Sequence, residues 1–474
     1  MTRKTKIIAT IGPASSSFEL IKQMILEGVN VCRINFSHGS HKENIQAIKN
    51  IKAVDAKLGI HTAILADLQG PKIRIGDMPE KGVLLKKGDD FTLDVNVDKG
   101  GDSVAKITYL DLPKDVKEGE RILLDDGKII LEVTSTNNRS IIKTKVIEGG
   151  KLYSKKGVNL PNTAISTASL TKKDKEDLKV AIDNNVDWIG FSFVRFASDI
   201  IELKGLIQGH GGHAKVIAKI EKPEAVNNLS EILNVCDGVM VARGDLGVEM
   251  PLESVPIIQK DIVNKALSLA KPVIIATQMM ESMISNITPT RAEVNDVANA
   301  VMDSTDAVML SGETSIGKNP VEVIKIMSRI INEVENNFNG LYEQESIPEK
   351  NHDRFITDSI CFNATRLAQR VNANAIITMT HSGYTAYKIS SQRPKSSIFV
   401  FSRNKKLLSS LSLVWGVETF YYDKMVSTDD TIADIKTFLK NNSLVSKGDL
   451  IINTASMPIE EKGKTNMLKL SYID

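Results

Sequence analysis

Eight short apolar runs recur along the chain, each followed by a loop and then by a segment of helical periodicity, and this rhythm restricts the fold more than any other feature. The runs are Lys6–Ile11, Val29–Phe36, Thr62–Leu68, Val186–Phe193, Lys215–Ile220, Gly238–Ala242, Pro272–Thr277 and Ala307–Leu310. Strands buried on both faces read this way, since alternation is lost when neither side meets water. The segments Phe18–Glu27, Lys172–Asn184 and Leu252–Ala270 carry an apolar stripe and a charged face, as helices ringed around a barrel should. Eight βα units predict an α/β fold of the (β/α)8 or TIM-barrel type.

Two stretches stand outside the rhythm. From about Pro71 to Thr167 the chain is rich in Gly, Asp and Lys and in short alternating segments such as Phe91–Val97 and Arg121–Leu124. Asp126-Gly127 before Lys128–Val133 is a hairpin signal. A small all-β domain, itself barrel-like, is expected there, inserted after the third barrel strand. From Tyr342 the pattern changes again, to a helix near Asp358–Val371, a strand Ala375–Met379, a helix Thr385–Ser391, and strands Ser397–Phe401 and Asp449–Asn453. That order predicts an open α/β sheet, with Gly340 to Asn351 as the linker. The expected division is 1–70 and 168–340 for the barrel, 71–167 for the inserted β domain and 341–474 for the C-terminal α/β domain.

A chain of 474 residues is too long for one core, so two to four domains are expected. Lys and Arg number 60 against 58 Asp and Glu, a balance that gives no global argument for nucleic-acid binding and leaves anion affinity to local placement of cations. Cys32, Cys236 and Cys361 are odd in number and far apart, which speaks against a disulfide framework or a zinc site and fits a reducing cytosol. The segment Met1 to Gly12 lacks the pattern of a signal peptide, and no apolar run approaches the roughly 20 residues that cross a bilayer. A cytoplasmic protein without membrane or nucleic-acid partners is expected.

Catalytic groups of such barrels come from the C-terminal ends of the strands, and polar residues concentrate there. The second run ends in Arg33-Ile34-Asn35-Phe36-Ser37-His38-Gly39, the third in Asp67, the fifth in Lys219-Ile220-Glu221, the sixth in Arg243-Gly244-Asp245, the seventh in Thr277 and the eighth in Ser311-Gly312-Glu313. Lys219 and Glu221 are two apart, so both leave one face of a strand. Taken singly they are a plain ion pair, Arg33 is a structural salt bridge, Thr277 a buried hydroxyl and His38 a surface residue at a helix start. Convergence on one barrel end favours function. Asp245 brings a second carboxylate to the mouth, and two carboxylates with room for substrate oxygens is how Mg2+ is usually held. Arg33, Lys219 and Arg243 supply positive charge for a phosphorylated substrate, and Gly244 lets backbone approach a ligand.

At these residues the sequence resembles the pyruvate kinase family over essentially its whole length. The resemblance is carried, in order, by the runs Lys6 to Pro13, Arg33 to Gly39, Gly70 to Arg74, Lys155 to Pro161, Val241 to Gly247, Ala276 to Met283, Pro289 to Glu293 and Leu310 to Thr314. It implies transfer of the phosphoryl group of phosphoenolpyruvate to ADP, giving pyruvate and ATP. It further implies that Glu221 and Asp245 bind Mg2+ or Mn2+, and that Lys219 and Arg33 neutralise the phosphoryl group in flight. Gly244, Asp245 and Thr277 would hold the substrate carboxylate, and Thr277 and Ser311 would relay a proton to the enolate carbon. Arg74 and Lys156, with Asn35 and His38 nearby, would grip the nucleotide, which makes the inserted domain a lid that excludes water.

One departure concerns a cofactor. Most family members read Asp-Thr-Lys-Gly-Pro-Glu where this chain has Asp67-Leu-Gln-Gly-Pro-Lys72, and the usual Glu helps create a potassium site beside Asn35, Ser37, Asp67 and Leu68. The Lys72 ammonium is a compact point charge that can take the ion's place, so activity without added K+ is expected, as in the family's Lys-bearing subgroup. In the last domain Thr380, Ser382, Gly383 and Thr385 follow a strand and open a helix, a ready anion site. They match the loop that in many relatives holds a phosphate of a sugar-phosphate activator, AMP being another candidate, although a helix cap alone also explains these residues. A homotetramer is implied by the same resemblance. A barrel lyase or aldolase would need neither the lid nor Arg74 and Lys156. A non-catalytic homologue would have lost Lys219, Glu221 or Asp245, and all three are present.

Overall fold

The computed structural model describes residues 3–342, 347–348, 353–424, 427–457 and 465–474. Eight parallel strands close into a barrel. They are Lys6–Ile11, Val29–Asn35, Ala63–Asp67, Trp188–Phe191, Lys215–Ile220, Gly238–Ala242, Val273–Ala276 and Ala307–Leu310. Four coincide with the expected runs; the others stop short of them. Phe36 and Leu68 remain buried beyond the last paired residue, so the apolar run outlasts the strand. At the seventh strand the chain leaves the ladder because Thr277 turns to φ +70°. Ile8, Val31, Leu65, Trp188, Ile217, Met240, Ile274 and Met309 fill the interior, and Leu413 of the C-terminal segment joins them.

Local chemistry starts the outer helices. Ser17 caps Phe18–Leu26, and Thr171 with Asp174 forms a capping box on Lys172–Asp183. The expected helix Leu252–Ala270 is divided into a 3-10 turn, Leu252–Ser254, and an α-helix, Val255–Ser268. Pro256 sits in the first turn of the latter, where its missing N–H costs nothing.

Between the third and fourth barrel strands lie two β ladders instead of one closed ring, a six-stranded sheet and a two-stranded one, around their own apolar cluster. Arg121–Leu124 pairs with Ile129–Thr136 across a longer turn than Asp-Gly predicts. Asp125, Asp126 and Gly127 all take positive φ there, 50°, 58° and 82°. The strand expected at Phe91–Val97 is Asp90–Asp94.

The C-terminal part is a five-stranded sheet in the order Val417–Tyr421, Ser397–Ser402, Ala375–Met379, Leu450–Ala455 and Met467–Tyr472, the last strand antiparallel. Helices Phe355–Arg370, Tyr384–Ser391 and Thr428–Asn441 accompany it. Both edge strands were illegible as apolar runs because their side chains are largely half-buried or exposed. Most of the expected linker, Gly340 to Asn351, lies outside the described residues. Among the described residues no helix is long and apolar enough to cross a membrane.

Candidate active site

A chain of charges crosses the C-terminal mouth of the barrel. Strand pairing sets Arg33 beside Leu65 and Asn35 beside Asp67. Arg33 reaches Asp67 Oδ2 through Nε and a terminal nitrogen, each at 2.7 Å, and donates to Thr10 Oγ1 at 2.9 Å. Lys219 Nζ lies 3.3 Å from Asp67 Oδ1 and 2.9 Å from Glu221 Oε1, and donates to Ser192 Oγ at 2.7 Å. Glu221 Oε2 accepts the Phe193 N–H at 2.7 Å. Asp67 and Glu221 are buried, at 2 % and 1 % exposure, yet Asp67 Oδ1 and Glu221 Oε1 make no hydrogen bond.

Burial opposes charge on Lys219, but the carboxylates of Asp67 and Glu221 outweigh it and raise its pKa, so it stays an ammonium. Asp67 is pushed up by burial and pulled down further by Lys219 and Arg33, ending below the usual carboxylate range. Burial raises the pKa of Glu221; Lys219 opposes the rise and the nearby charge of Asp245 adds to it. Two carboxylates close enough to repel each other, Glu221 and Asp245, suit a divalent cation. Among the described residues no three His, Cys, Asp or Glu side chains cluster as a metal cage. A pair of carboxylates is the donor set by which Mg2+, which keeps water and phosphate oxygens, is usually held.

Asp245 stands in the first turn of the helix Arg243–Glu249, directly after the sixth strand. Gly244 N–H donates to Thr277 Oγ1 at 2.7 Å, and a Cβ on Gly244 would meet that oxygen at 3.4 Å, an ordinary contact that the backbone could accommodate. Thr277 holds a strained φ of +70°, the kind of outlier that clusters at functional sites. Arg243 is not a substrate cation here. Its guanidinium grips Asp296 with two bonds of 2.7 Å and donates to the Thr277 carbonyl at 2.8 Å, so it braces the Thr277 turn. Ser311, after the eighth strand, receives no bond from Thr277; its N–H donates to Glu313 Oε2 at 2.7 Å.

Of the expected nucleotide residues, Arg74 lies near enough to His38 for its charge to be felt there. Arg74 and Gly157 are bridged across the two chain crossings into the β insertion, and Arg74 donates to the Lys155 carbonyl at 3.0 Å. Lys156 pairs with Asp125 at 2.8 Å. Burial and the charges of Arg74, Lys72, Arg33 and Lys173 hold the His38 pKa down. Asn35 Oδ1 accepts the Ser37 N–H at 3.0 Å, and Leu68 N–H donates to the Gly190 carbonyl at 3.0 Å. Lys72 makes no ion pair among the described residues, and Arg33 and Lys219 occupy both oxygens of Asp67. In the C-terminal sheet Thr380 Oγ1 accepts the Gly383 N–H at 3.0 Å and Thr378 donates to Thr385 Oγ1 at 3.0 Å; Gly383 takes φ +85° and Ser382 is exposed.

Sequence reasoning missed a second charged cluster beside Glu221 and Asp245. Lys222, next to Glu221, bonds Glu249 Oε1 at 2.7 Å, and Asn159 of the insertion donates to the same oxygen at 2.9 Å. All three are buried. Ser192 was missed too, being only a hydroxyl in an apolar run; its Oγ donates to the Leu68 carbonyl at 2.7 Å and accepts Lys219.

Residues 2–324 match the family model described as pyruvate kinase, barrel domain, and residues 358–471 match pyruvate kinase, alpha/beta domain. The chain is 42% identical to a pyruvate kinase of Geobacillus stearothermophilus, over 100% of this chain and 81% of the relative. It is also 42% identical to one of Corynebacterium glutamicum, over 100% and 98%. A crystal structure of a pyruvate kinase from Cryptosporidium parvum superposes with TM-score 0.93 at 33% identity, covering 100% of this chain and 96% of the other. A barrel mouth built for a phosphorylated anion and these full-length likenesses lead to one statement: the chain belongs to the pyruvate kinase family.

Proposed function

We propose that Lys219, Arg33, Glu221 and Asp245 carry the family's reaction in this chain. The reaction itself follows from membership: the chain is a phosphotransferase that moves the phosphoryl group of phosphoenolpyruvate to ADP, giving pyruvate and ATP. The observation that carries the assignment is the continuous line Arg33–Asp67–Lys219–Glu221 across the mouth. It fixes an ammonium and a guanidinium where three phosphoryl oxygens need positive charge, without reorganisation at the moment of transfer.

Glu221 and Asp245 would hold Mg2+ or Mn2+, which when bound supplies positive charge to phosphoryl and enolate oxygens. Arg33 and Lys219 orient the phosphoryl group toward ADP. The bond between phosphorus and the enol oxygen breaks as the bond to the β-phosphate oxygen forms, and Lys219 faces the enolate left behind. The N–H groups of Gly244 and Asp245, with Thr277 Oγ1, hold the substrate carboxylate; Gly244 exchanges its bond to Thr277 for one to substrate. Thr277 and Ser311 lead a proton to the methylene carbon. Arg74, Lys156, Asn35 and His38 bind the nucleotide phosphates under the closed insertion, within the division 1–70 and 168–340, 71–167 and 341–474.

The same reading includes independence of K+, with Lys72 moving toward Asp67 when the insertion closes, a homotetramer, a cytoplasmic setting, and a phosphate of a sugar phosphate or AMP at Thr380, Ser382, Gly383 and Thr385. A coupled assay with phosphoenolpyruvate, ADP and Mg2+, with and without K+, tests the centre. Wild type should form pyruvate and ATP in equal amounts in both buffers. Lys219→Met should lose roughly 10²–10³ in kcat. Full activity in Lys219→Met, or activity restored only by K+, would refute the corresponding part. A screen of sugar phosphates and AMP that leaves the rate unchanged would remove the effector.

A further inference from the structure

The insertion returns to the barrel through residues 160–171, which form neither helix nor strand. Among the described residues the backbone of 160–170 makes no hydrogen bond to other backbone, so side chains decide where this crossing runs. It is gripped from two sides at one place. From the insertion, Asp115 Oδ2 accepts the Ser166 N–H at 2.9 Å and the Ser166 hydroxyl at 3.1 Å, and also the Tyr109 hydroxyl. From the barrel, Arg195 donates to the Ile165 carbonyl, to the Thr167 carbonyl at 2.8 Å and to Ser169 Oγ at 2.9 Å. One guanidinium thus holds the carbonyls on either side of the residue that Asp115 holds. A rigid planar fork suits three acceptors in fixed directions, where a lysine ammonium, a point charge, does not. The outgoing crossing has nothing comparable. Gly70 N–H is tied to Asp174 of the barrel helix Lys172–Asp183 at 3.0 Å, and the Ile73 carbonyl to Val158 of the insertion at 3.0 Å, which leaves Pro71 and Lys72 between the two bodies.

Arg195 is itself anchored to the barrel. Its N–H donates to Asp199 Oδ2 at 2.9 Å in the first turn of helix Ala197–Gly209, and its carbonyl accepts from Asn228 at 3.1 Å. The loop that carries it also reaches the charged mouth. Ser192 Oγ accepts Lys219, and the Phe193 N–H holds Glu221 Oε2 from a backbone at φ +55°, which a bulky side chain adopts only under strain. Ile165, Thr167, Phe193, Arg195 and Asp245 line one narrow cleft of about 30 Å³, room for about one water. We infer that Arg195 is a positioning residue for phosphoryl transfer, the fixed point about which the insertion turns as it brings Arg74 and Lys156 over the barrel mouth. This rests on the assignment of those two residues to the nucleotide. Without the fork the crossing is held from the insertion side alone, so the acceptor phosphate is presented in several places and water enters beside it.

Steady-state assays of the full chain, with pyruvate and ATP measured separately, test this on wild type, Arg195→Met, Arg195→Lys and Asp115→Ala. Ile165 and Thr167 are partly exposed, so water takes over their carbonyls in Arg195→Met and the variant should fold. It should raise the KM for ADP about tenfold or more, as lost hydrogen bonds to a charged group predict, leave that for phosphoenolpyruvate within about twofold, and form pyruvate in excess of ATP. Arg195→Lys keeps the charge and loses the fork, and should show the same split at about a third of the size. Asp115→Ala frees Ser166 from the insertion side and should reproduce the split, and joining it to Arg195→Met should cost no more than the worse single variant. A rise of both KM values together, a fall in kcat alone, or equal pyruvate and ATP in every variant overturns the inference. Should Arg195→Met not fold, Arg195→Lys and Asp115→Ala decide in the same way. Wild type that forms no ATP overturns the proposed function and this inference with it; active wild type beside unchanged variants overturns this inference alone.

Discussion

Asp67 holds two cations that would otherwise repel each other. Arg33 and Lys219 are the cations proposed to meet the phosphoryl group, and one carboxylate, 2 % exposed, binds the first at 2.7 Å and the second at 3.3 Å. Asp67→Asn keeps the shape and removes the charge, so kcat should fall roughly tenfold to a hundredfold, about 1.4–2.7 kcal/mol of barrier, as the two cations drift apart. Stability offers an independent readout. The native pKa of Asp67 is depressed by its cations despite burial, so its stabilising contribution is complete above the ordinary carboxylate range and is lost as pH falls through the lowered value. The stability gap between wild type and Asp67→Asn should therefore be widest near neutrality and close in strong acid; a gap independent of pH would deny the ion-pair role. The ends of the barrel strands were legible because period-two geometry and strand order place Arg33, Asp67, Lys219 and Glu221 together without knowledge of loops. Pairings across long separations were not. Arg243 meets Asp296 at a separation of 53 residues and Lys222 meets Glu249 at 27, and nothing in the spacing distinguishes a braced arginine from one facing substrate.

At the scale of elements, the strut Lys222–Glu249–Asn159 couples the insertion to the fifth barrel strand. Asn159 lies on Val158–Asn159, the edge strand of the six-stranded sheet, and Glu249 closes the helix that carries Asp245. Glu249 Oε1 thus receives one bond from the insertion and one from the residue beside Glu221, while its Oε2 has none. Asn159→Ala removes the bond to the insertion and leaves the ion pair. It should raise the share of phosphoenolpyruvate whose phosphoryl group goes to water, measured as pyruvate formed in excess of ATP, with little change in thermal stability. Lys222→Met strands a buried carboxylate and should cost about 3–5 kcal/mol of stability. Adding Glu249→Leu should recover most of that loss yet leave the excess of pyruvate. Equal pyruvate and ATP in all three variants would show that the strut does not hold the insertion. The barrel elements themselves were readable because burial on both faces leaves an apolar run. Edge strands Val417–Tyr421 and Met467–Tyr472 left none, since most of their side chains are only half-buried or exposed. The Asp-Gly signal found the hairpin but not its longer turn, because φ turns positive one residue earlier, at Asp125.

Across the whole molecule, the barrel floor and the C-terminal sheet are joined by polar ties around an apolar plug. Leu413 enters the barrel interior, Trp188 Nε1 donates to the Ser410 carbonyl at 3.0 Å, and Arg393 reaches Asp306 at 2.9 Å. Asp187 is the tie whose charge is least favourable. Burial pushes its pKa up to about 6, against the Ser409 hydroxyl, the Ile64 N–H and the charge of Lys52, with Asp55 adding to the rise. An unfolded aspartate titrates near 3.9, so between roughly pH 4 and 6 the native chain binds more protons and stability falls as pH rises. Above that window the carboxylate is charged in both states and the full penalty remains; below it both states are protonated and the penalty vanishes. Asp187→Asn keeps both hydrogen bonds, with the amide oxygen accepting from Ile64 and the amide nitrogen donating to Ser409. One side of Asp187 opens on a cavity between the barrel floor and the C-terminal sheet, and solvent there reduces the effect, so on the order of 1–2 kcal/mol is expected. Asp187→Asn should melt above wild type at pH 7.5 and together with it near pH 4, as a pair of thermal scans in each buffer will show. A difference of the same size at both pH values would mean that shape, not charge, decides this contact between the barrel floor and the C-terminal sheet.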